Sequence, residues 1–578
     1  MPRRRLLLGV VIAGALLVAG RALSAVYADH TWYRAMGASA LWSERFADML
    51  IIYGLGFGIS FAVALANLST VARSIGALTL PRRLANVEFG EAVPRRYLDR
   101  FAVALSVGIA AAVLPLLPRW TSLALLRRGV SFQERDPYFH HDLAFYTTWL
   151  PFEKSLYSWI MVLVVTVSLV TIGLYSLTPG LRWERSGLRM STLVRKHLSV
   201  LATMILLLTV WSYRLASYDL LIQTGGESGS FSYVEHQWLL PGLLILSIVT
   251  AAAAATMLLS GWTGQLRTSF IAVTAVVLLS VGVQEVVPLV AERMTSPEAL
   301  AARERPYTAM RAEFTHRAYD IPSVAREPAL GAIVPRADSA MAVGDRQPPL
   351  QQDSLVYPGA TGLLIIREPQ LDVAGQRVGQ GLSRLAYAWA YQSLSLLSDS
   401  VAHQARIVTV RDVRRRVAAL APVFSQGNTA VPLFHADTLY WKLELYSASS
   451  DYPLSESRSI AGADRNYFRH AATALVNGRT ARVSFAAVAH PDPIARAWML
   501  SFPHANDYRA STILRRLTTA PWSPVGTGLG TPSDDSTFRA DVTRLYNVMR
   551  ASLAQGNLSA FSAAYDSLGA LIGRPRRP

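Results

Sequence analysis

The sequence predicts a membrane-embedded all-α bundle of about seven transmembrane helices, followed by an α+β extracytoplasmic domain and a C-terminal helical hairpin. Three observations support this fold class. The mean hydropathy is +0.27 and 51% of the 578 residues are hydrophobic, which is too apolar for a water-soluble protein of this length. The apolar stretches long enough to cross a bilayer all lie in the first half. The second half instead alternates short strand and helix patterns with turn signals.

Seven apolar segments approach the ~20 residues that a helix needs to cross the hydrocarbon core. Their predicted bounds are Leu6–Ala28, Met49–Leu68, Phe101–Leu117, Leu156–Leu177, His197–Tyr213, Trp238–Leu259 and Ser269–Ala291. Together they define a transmembrane domain at residues 1–292.

The positions of Lys and Arg predict the orientation, because these cations are retained on the cytoplasmic side. With the N-terminus inside, the cytoplasmic segments carry 15 Lys and Arg residues and the opposite segments carry 8. Seven crossings then place everything after Ala291 outside the cytoplasm. The basic N-terminus, the apolar run and Val26-Tyr27-Ala28 also fit a cleaved signal peptide. Cleavage there would leave the second span facing the same way.

Composition excludes several classes of function. The formal charge is +17, but the arginines are spread through loops instead of forming one stripe, so we expect no nucleic-acid partner. Cysteine is absent, which excludes disulfides, thiolate metal sites and cysteine nucleophiles. No lysine follows a glycine, and neither H-E-x-x-H nor G-x-S-x-G occurs. These absences exclude a Walker loop, a zincin-type site and a nucleophile elbow.

The stretch DPYFHHDLAFYTTWLPF, residues 136–152, joins the third and fourth spans. His140 with Asp136, or His141 with Asp142, could offer two metal ligands, but the spacing implies no third, so we expect no metal. Apolar residues recur at helical spacing, which predicts a short amphipathic helix in the headgroup layer, ended by Pro151. These residues are Phe139, Leu143, Tyr146 and Leu150, with Trp149 beside them.

Ionisable residues near the outer ends of the spans are the other candidates for function. Arg214 and Asp219 follow the fifth span, and Glu285 lies in the seventh. Such groups are costly at this depth unless they reach water, snorkel or pair, so interfacial snorkelling is the alternative to a functional role. With Asp136, His140 and Asp142 they could line the outer vestibule of a transporter or channel.

The second half divides into a juxtamembrane helix and tether at 293–354, an α+β domain at 355–505, a linker at 506–536 and the helical hairpin at 537–574. Asn477-Gly478 predicts a tight β-hairpin, because this dipeptide readily adopts positive φ angles. The predicted helices are Ser296–Tyr319, Leu382–Leu397 and Val413–Leu420, and two further stripes that begin at Phe538 and Leu558 form the terminal hairpin. The predicted strands are Gly362–Ile366, Val431–Phe434, Leu439–Tyr446, Ala472–Val476 and Thr480–Val488.

Two polar clusters of the second half bear on catalysis. His490, Asp492, His504 and Asp507 lie among prolines, which favours a solvated loop over a metal cage. Asp451, Glu456 and Asp464 could act as general acid and base if two carboxyl groups stood ~5 to 9.5 Å apart. An envelope hydrolase is therefore an alternative, although an enzyme is the less favoured class.

The 136–152 stretch also resembles the signature D-P-x-F-x-x-D-x-x-F-Y-x-x-x-L-P-F of uncharacterised protein family (UPF) 0182, bacterial polytopic membrane proteins with a large extracytoplasmic domain. Further similar motifs are Tyr213–Leu221, Glu304-Arg305-Pro306-Tyr307, Arg411-Asp412-Val413, Leu439-Tyr440-Trp441, Asn466-Tyr467 and Asp492-Pro493-Ile494. The resemblance covers most of the chain and implies the architecture, but the family has no established activity. After Pro503 the family's long acidic, tyrosine-rich continuation is not found.

The sequence thus favours an inner-membrane protein of the bacterial envelope whose helical base anchors an extracytoplasmic module. That module would bind a ligand, an envelope protein or a glycan, and the bilayer is the one partner that the composition itself requires. No cofactor is expected. Transport and envelope hydrolysis are the two alternatives.

Overall fold

The computed structural model describes residues 2–76, 95–178, 180–184, 187–222, 231–294, 296–320, 354–367, 372–398, 400–435, 438–460, 462–488, 490–501, 543–549 and 551. Within these residues, seven helices are long and apolar enough to cross a membrane, which confirms the predicted number. They cover Ile12–Ala35, Ser39–Ser74, Arg96–Leu116, Phe145–Ser176, Thr192–Ile222, Glu235–Thr263 and Arg267–Ala291. Most of these spans run past their predicted ends, because hydropathy marks the lipid-crossing part of a helix and not the end of its hydrogen bonding.

The described residues of the first half are mostly helical, with one short two-stranded sheet between the fourth and fifth spans. The helices are α1 (Pro2–Ala35), α2 (Ser39–Gly76), α3 (Arg95–Val113), α4 (Trp120–Arg127), α5 (Leu150–Ser176), α6 (Thr192–Ile222), α7 (Leu240–Thr263), α8 (Leu266–Val281), α9 (Val287–Met294) and α10 (Pro297–Tyr319). The hairpin pairs β1 (Leu181–Glu184) with β2 (Gly187–Met190). The predicted helix after the seventh span is confirmed as α10, and the Ser296 side chain caps it by accepting from Ala299 N at 3.4 Å.

Wide, π-helical turns precede α5, α7 and α9, and a proline follows each of them. The turns are Phe145–Trp149, Glu235–Leu239 and Gly282–Val286, and the prolines are Pro151, Pro241 and Pro288. Proline has no backbone N–H and its ring crowds the carbonyl four residues earlier, and a wider turn accommodates both effects. Pro151 therefore lies within a continuous helix, so the prediction that it ends one is wrong.

The described residues between Ser354 and Ser501, here called the α/β region, form antiparallel sheets with helices. In a five-stranded sheet, β8 (Thr438–Ser449) pairs with β11 (Tyr467–Asn477), β6 (Ser425–Gln426) and β7 (Val431–His435), and β12 (Val483–Ala487) pairs with β11. In a three-stranded sheet, β5 (Arg406–Val408) lies between β3 (Leu364–Ile366) and β4 (Gln376–Arg377), and β9 (Arg458–Ile460) pairs with β10 (Ala463–Arg465). Its helices are α11 (Leu382–Tyr391), α12 (Val413–Leu420) and α13 (Pro493–Ser501).

Both predicted β-hairpins and both predicted helices of the α/β region are present. Helix α12 has its predicted bounds, whereas α11 ends at Tyr391, six residues before Leu397, and the next residue, Gln392, has a φ of 52°. The β11–β12 hairpin does not obtain its positive φ angle at Asn477-Gly478 but at Ala481, with φ 58°. Gly478 serves close packing instead, because a Cβ atom there would lie 2.6 Å from Ser354 Oγ.

The turn between α1 and α2 belongs to the core of the α/β region. Trp32, Tyr33, Ala38 and Leu41 are buried in one cluster with sheet and helix residues of the second half. Their partners include Val356, Val413, Val417, Leu443, Leu445, Phe485 and Trp498. The membrane helices and the α/β region accordingly form a single compact unit, Met1–Pro328 with Pro349–Thr518.

A second unit consists of Ala329–Pro348 and Thr519–Pro578. Its residues 543–549 are helical, in agreement with the first helix of the predicted terminal hairpin. The predicted tether up to residue 353, the whole 506–536 linker and the stripe that begins at Leu558 lie outside the described residues.

Candidate functional site

Residues 134–143, between the third and fourth spans, form a tight hairpin. Asp136 N donates to His141 O at 2.9 Å, and Leu143 N donates to Glu134 O at 3.0 Å. The predicted amphipathic helix is therefore wrong for Phe139 to Asp142, whereas the chain is helical from Leu143 onward. Aspartate side chains that accept from nearby backbone N–H groups compete with helix formation, and this stretch contains two.

Asp136 and Asp142 are the residues that organise this hairpin. Asp136 is buried, and its carboxylate accepts from the amides of Tyr138, Phe139 and His141 at 3.0, 2.5 and 2.7 Å. The Asp142 carboxylate accepts from Ser131 Oγ and from three backbone amides. Burial would raise the pKa of Asp142, but these hydrogen bonds outweigh it and lower the pKa. Both carboxylates therefore have structural partners.

The two neighbouring histidines have different environments. His140 is exposed and has a φ of 59°, in the left-handed region, at the tip of the hairpin. His141 stacks on Phe145 with ring centroids 4.4 Å apart. Within the described residues, no group of three or more His, Asp or Glu side chains is placed to hold a metal ion.

The apolar residues of the 136–152 stretch pack inside the protein. Leu143, Tyr146 and Leu150 are fully buried. Their cluster draws on α6, on α10 and on the α/β region, and includes Leu215, Tyr218, Phe231, Phe314, Tyr452, Tyr467 and Ile494. The predicted position in the headgroup layer is thus corrected: these aromatics join the spans to the α/β region.

Next to this cluster, α5 and α6 are joined by a buried carboxylate. Glu153 accepts from Trp149 Nε1 and Trp211 Nε1, both at 2.8 Å. The Arg214 guanidinium pairs with Glu153 Oε1 at 3.1 Å and lies 5.6 Å from the ring centroid of Tyr218. Arg214 therefore has a specific partner, which sequence inspection did not identify.

Asp219, also on α6, belongs to a second pair. Lys154 contacts Asp219 and, at 3.2 Å, Asp451 Oδ1 of the α/β region. One lysine thus links two spans and the α/β region. Asp451, one of the carboxylates considered for catalysis, is accounted for by this contact.

Glu285 is not brought together with the other sequence candidates. It is exposed in the turn Gly282–Val286 and contacts neither Arg214 nor Lys154. A groove of about 790 Å³ lies instead between α6 and α7. Arg214, Ser217 and Ser247 supply polar groups to this mostly apolar groove, whose wall also contains Phe139.

A more polar cleft of about 560 Å³, here called the first-hairpin cleft, lies between the α1–α2 hairpin and the α/β region. Its charged lining residues are Asp29, Arg45, Arg411, Asp412 and Arg415. Arg45 donates to Tyr33 Oη at 2.8 Å and pairs with Asp29. Arg411 donates to the carbonyls of Leu355 and Thr361.

Asp412 and Arg415 differ in how far their charges are satisfied. The Asp412 carboxylate caps α12 by accepting from Arg415 N at 2.9 Å, and it also accepts from Gly359 N at 2.7 Å. The Arg415 side chain is exposed and has no hydrogen bond or ion pair within the described part of the chain. Arg415 is therefore the cation of this cleft that is available to a ligand.

Behind the first-hairpin cleft lies a fully buried cation, Arg416. It donates to the carbonyls of Thr409, Val410 and Ala481 at 2.7, 3.1 and 3.0 Å. Its guanidinium also lies 5.7 Å from the ring centroid of Trp32. Burial lowers the pKa of Arg416 to about 10, so the side chain is charged at neutral pH.

Arg416 fixes a strained residue in the wall of the cleft. Val410 has a φ of 49°, which is rare for a β-branched residue and costs on the order of 1 to 3 kcal/mol. The Val410 carbonyl accepts from Arg416, and the residue itself lines the cleft. Strain of this kind often accompanies a ligand site.

Among the remaining polar candidates of the α/β region, Asp492 and Glu456 have internal partners, whereas Asp464 and His490 are exposed. Asp492 is buried and accepts from Ser447 Oγ at 2.8 Å and Tyr467 Oη at 2.9 Å. Burial raises its pKa despite these hydrogen bonds. Glu456 pairs with Arg458 at 3.1 Å. His504 and Asp507 lie outside the described residues.

Sequence inspection missed Glu153, Lys154, Arg416 and the first-hairpin cleft. The adjacent residues Glu153 and Lys154 place two charges inside an apolar stretch. Ionisable residues in such a position usually have a specific partner, so they could have been identified as candidates from the sequence. The run Arg414-Arg415-Arg416 gives no indication that its last member is buried, because charged runs usually face solvent.

Comparison with known proteins identifies relatives of the chain. The chain is 27% identical over 307 residues to the UPF0182 protein of Frankia casuarinae, covering 52% of this chain and 30% of that protein. It is 31% identical over 235 residues to the UPF0182 protein of Frankia alni, a match that covers 40% of this chain and 22% of that protein. It is 28% identical over 329 residues to the UPF0182 protein of Mycobacterium tuberculosis, a match that covers 56% of this chain and 33% of that protein. The match thus spans about a third or less of the length of these relatives.

No solved structure matches the chain. The profile of the uncharacterised protein family (UPF0182) matches residues 6–341 and 372–512, which is most of the sequence. These relatives are bacterial, and the seven spans make the protein a multi-pass membrane protein. The chain therefore belongs to the uncharacterised protein family UPF0182.

Proposed function

We propose that the protein is a membrane-anchored binding protein of the bacterial envelope, and that its α/β region, on the extracytoplasmic side, holds a small anionic ligand in the first-hairpin cleft. The cleft itself is the observation that carries this proposal. Its volume of about 560 Å³ lies within the ~300 to 1,000 Å³ usual for small-molecule sites. The excess of Lys and Arg in the opposite loops supports the orientation.

The charges of the cleft favour an anion. Three of its five charged lining residues are arginines, and arginine binds carboxylates and phosphates through paired N–H donors. Asp412 and Asp29 are already satisfied, by backbone amides and by Arg45 respectively. Arg415 then supplies a free cation at the edge, while Arg45 and Arg411 are held in position by their own hydrogen bonds.

The attachment of the α/β region to the spans supports preorganised binding. Trp32 and Tyr33 are buried in the core of the α/β region, and Arg416 fixes the wall segment Thr409–Val410. A cleft whose two walls are joined in this way loses little conformational entropy when a ligand enters.

The test uses the purified full-length chain in detergent, with inorganic phosphate, glycerol 3-phosphate and succinate as anionic probes. We expect at least one probe to raise the melting temperature in a saturable way, because a ligand that binds only the native state stabilises it. Arg415→Ala should abolish the shift. Arg496→Ala, which removes an exposed arginine outside the cleft, should preserve it. Equal responses of the two variants, or no response to any probe, would refute the proposal.

Transport is the second candidate, and the groove of about 790 Å³ between α6 and α7 favours it. Arg214 lies in this groove, and Glu285 supplies an ionisable group on the seventh span. In proteoliposomes, a transporter would show changed flux or proton dependence in Arg214→Ala or Glu285→Ala at normal abundance. Lost abundance without altered flux would favour the structural role that the Glu153 pairing supports.

A further inference from the structure

Helix α11, in the α/β region, packs against the first membrane span. Arg21 Nη1 of α1 donates to Trp389 O at 2.8 Å, and the rings of Tyr27 and Tyr387 lie 5.5 Å apart. Ala28 belongs to the same buried cluster as Tyr387 and Ala388. These contacts run along α1 over at least two turns.

The contacts lie within the apolar part of α1. Arg21 lies inside the candidate span Ile12–Ala35, 11 residues before Trp32, which is buried in the core of the α/β region. An arginine within such an apolar segment requires a polar partner. The carbonyl of Trp389, in the last turn of α11, is such a partner, because the carbonyls of a last helical turn lack partners within the helix.

The face of α11 that points away from the core is apolar and exposed. Leu382 is 83% exposed, and Leu385 and Trp389 continue the stripe at helical spacing. The following 3₁₀ turn, Leu394–Leu397, adds Leu394, which is 80% exposed. For a water-facing helix, this arrangement would leave a contiguous apolar patch in solvent.

Charge is absent from this face. Arg384 is the one charged residue between 382 and 397. Its guanidinium folds back to donate to the carbonyls of Leu396 and Val401, at 2.5 and 3.0 Å. The exposed face therefore consists of leucine, tryptophan and small polar residues. Its last turn contacts α1 at Arg21, and Leu16 and Leu23, before and after Arg21 on α1, are also exposed and apolar.

We propose that α11 and the turn Leu394–Leu397 are embedded in the bilayer leaflet that adjoins the α/β region, with Leu382, Leu385 and Leu394 in contact with acyl chains. The α/β region is then itself a lipid-binding element, in addition to being carried by the spans. Continuity of the apolar face with the lipid-facing surface of α1 identifies lipid as its occupant, and an interfacial amphipathic helix is the corresponding form of membrane contact.

Because the chain has no cysteine, single cysteines report this contact without background. Leu382→Cys and Leu394→Cys are labelled with an environment-sensitive fluorophore in nanodiscs of phosphatidylethanolamine and phosphatidylglycerol. Leu169→Cys, on the lipid-exposed face of α5, is the membrane control. Thr429→Cys, exposed before β7, is the aqueous control.

We expect labels at 382 and 394 to emit at shorter wavelength than the label at 429 and to be quenched several-fold more by nitroxide-bearing lipid than by iodide, as at 169. Quenching by iodide to the extent seen at 429 would overturn the proposal. Protection from both quenchers would also overturn it, because protein would then cover the face.

A second measurement leaves the chain unaltered. Photoactivatable phosphatidylcholine is crosslinked to the wild-type protein in the same nanodiscs, and modified peptides are mapped by mass spectrometry. Adducts within residues 382–397, and none within β8, are expected. Adducts confined to the seven spans would contradict lipid contact by α11.

Discussion

Replacing the buried cation Arg416 by methionine should destabilise the protein strongly. The substitution retains most of the side-chain volume but removes the donors to the carbonyls of Thr409, Val410 and Ala481. A buried polar group left without a partner costs about 1 to 3 kcal/mol. Three unpaired carbonyls would therefore lower the free energy of unfolding by about 3 to 9 kcal/mol. Removing the guanidinium also relieves its desolvation, which amounts to several kcal/mol. We therefore expect a net loss near the lower end, about 3 kcal/mol.

Equilibrium urea denaturation in detergent micelles, followed by tryptophan fluorescence, measures this loss. Arg415→Met is the matched control, because the neighbouring side chain is exposed and unbonded within the described residues. Its effect should stay within about 0.5 kcal/mol. Arg416→Lys should give an intermediate loss, since one ammonium group does not reproduce the planar set of donors. Equal free energies of unfolding for Arg416→Met and Arg415→Met would refute the structural role of the buried cation.

Three further predictions concern charge and orientation. Burial would raise the pKa of Glu444, but hydrogen bonds from three neighbouring side chains lower it to about 2 from a usual 4.5. Its stabilising effect is therefore complete above pH 4.5 and is lost as the pH falls towards 2. The stability gap between wild type and Glu444→Gln should narrow over that range, and a constant gap would contradict the assignment. A double-mutant cycle of Lys154→Met and Asp451→Asn should give a coupling energy of about 0.5 to 3 kcal/mol, whereas additive effects would show that the contact is unimportant. In intact cells an impermeant thiol reagent should label Ser131→Cys and leave Gly187→Cys unlabelled, and the reverse pattern would invert the proposed orientation.

The elements that sequence predicted well depend on local patterns. The seven spans follow from hydropathy, and α12 follows from its apolar spacing and from Asp412 as an N-cap. The β11–β12 hairpin was also predictable, although the position of its positive φ angle was not. Ala481 has that angle, and its N–H donates to Asn477 O across the turn.

The site contacts depend on pairs that are distant in the sequence. Glu153 and Arg214 are 61 residues apart, and Lys154 and Asp451 are 297 apart. A single sequence does not indicate which charges will meet over such separations. The aromatic stripe of residues 136–152 was misassigned for a related reason, because the same residue types suit a headgroup layer and a protein core.

The burial of Trp32 and Leu41 among residues of the second half has a consequence for biosynthesis. The α1–α2 hairpin is translated before its packing partners. One of these partners, Trp498, is synthesised more than 400 residues later. The domain core can therefore close only after the chain has been made as far as Trp498, and contacts of such high sequence separation form slowly. A fragment expressed from Tyr357 onward would lack this hydrophobic insert and should aggregate unless the first two spans are supplied in trans.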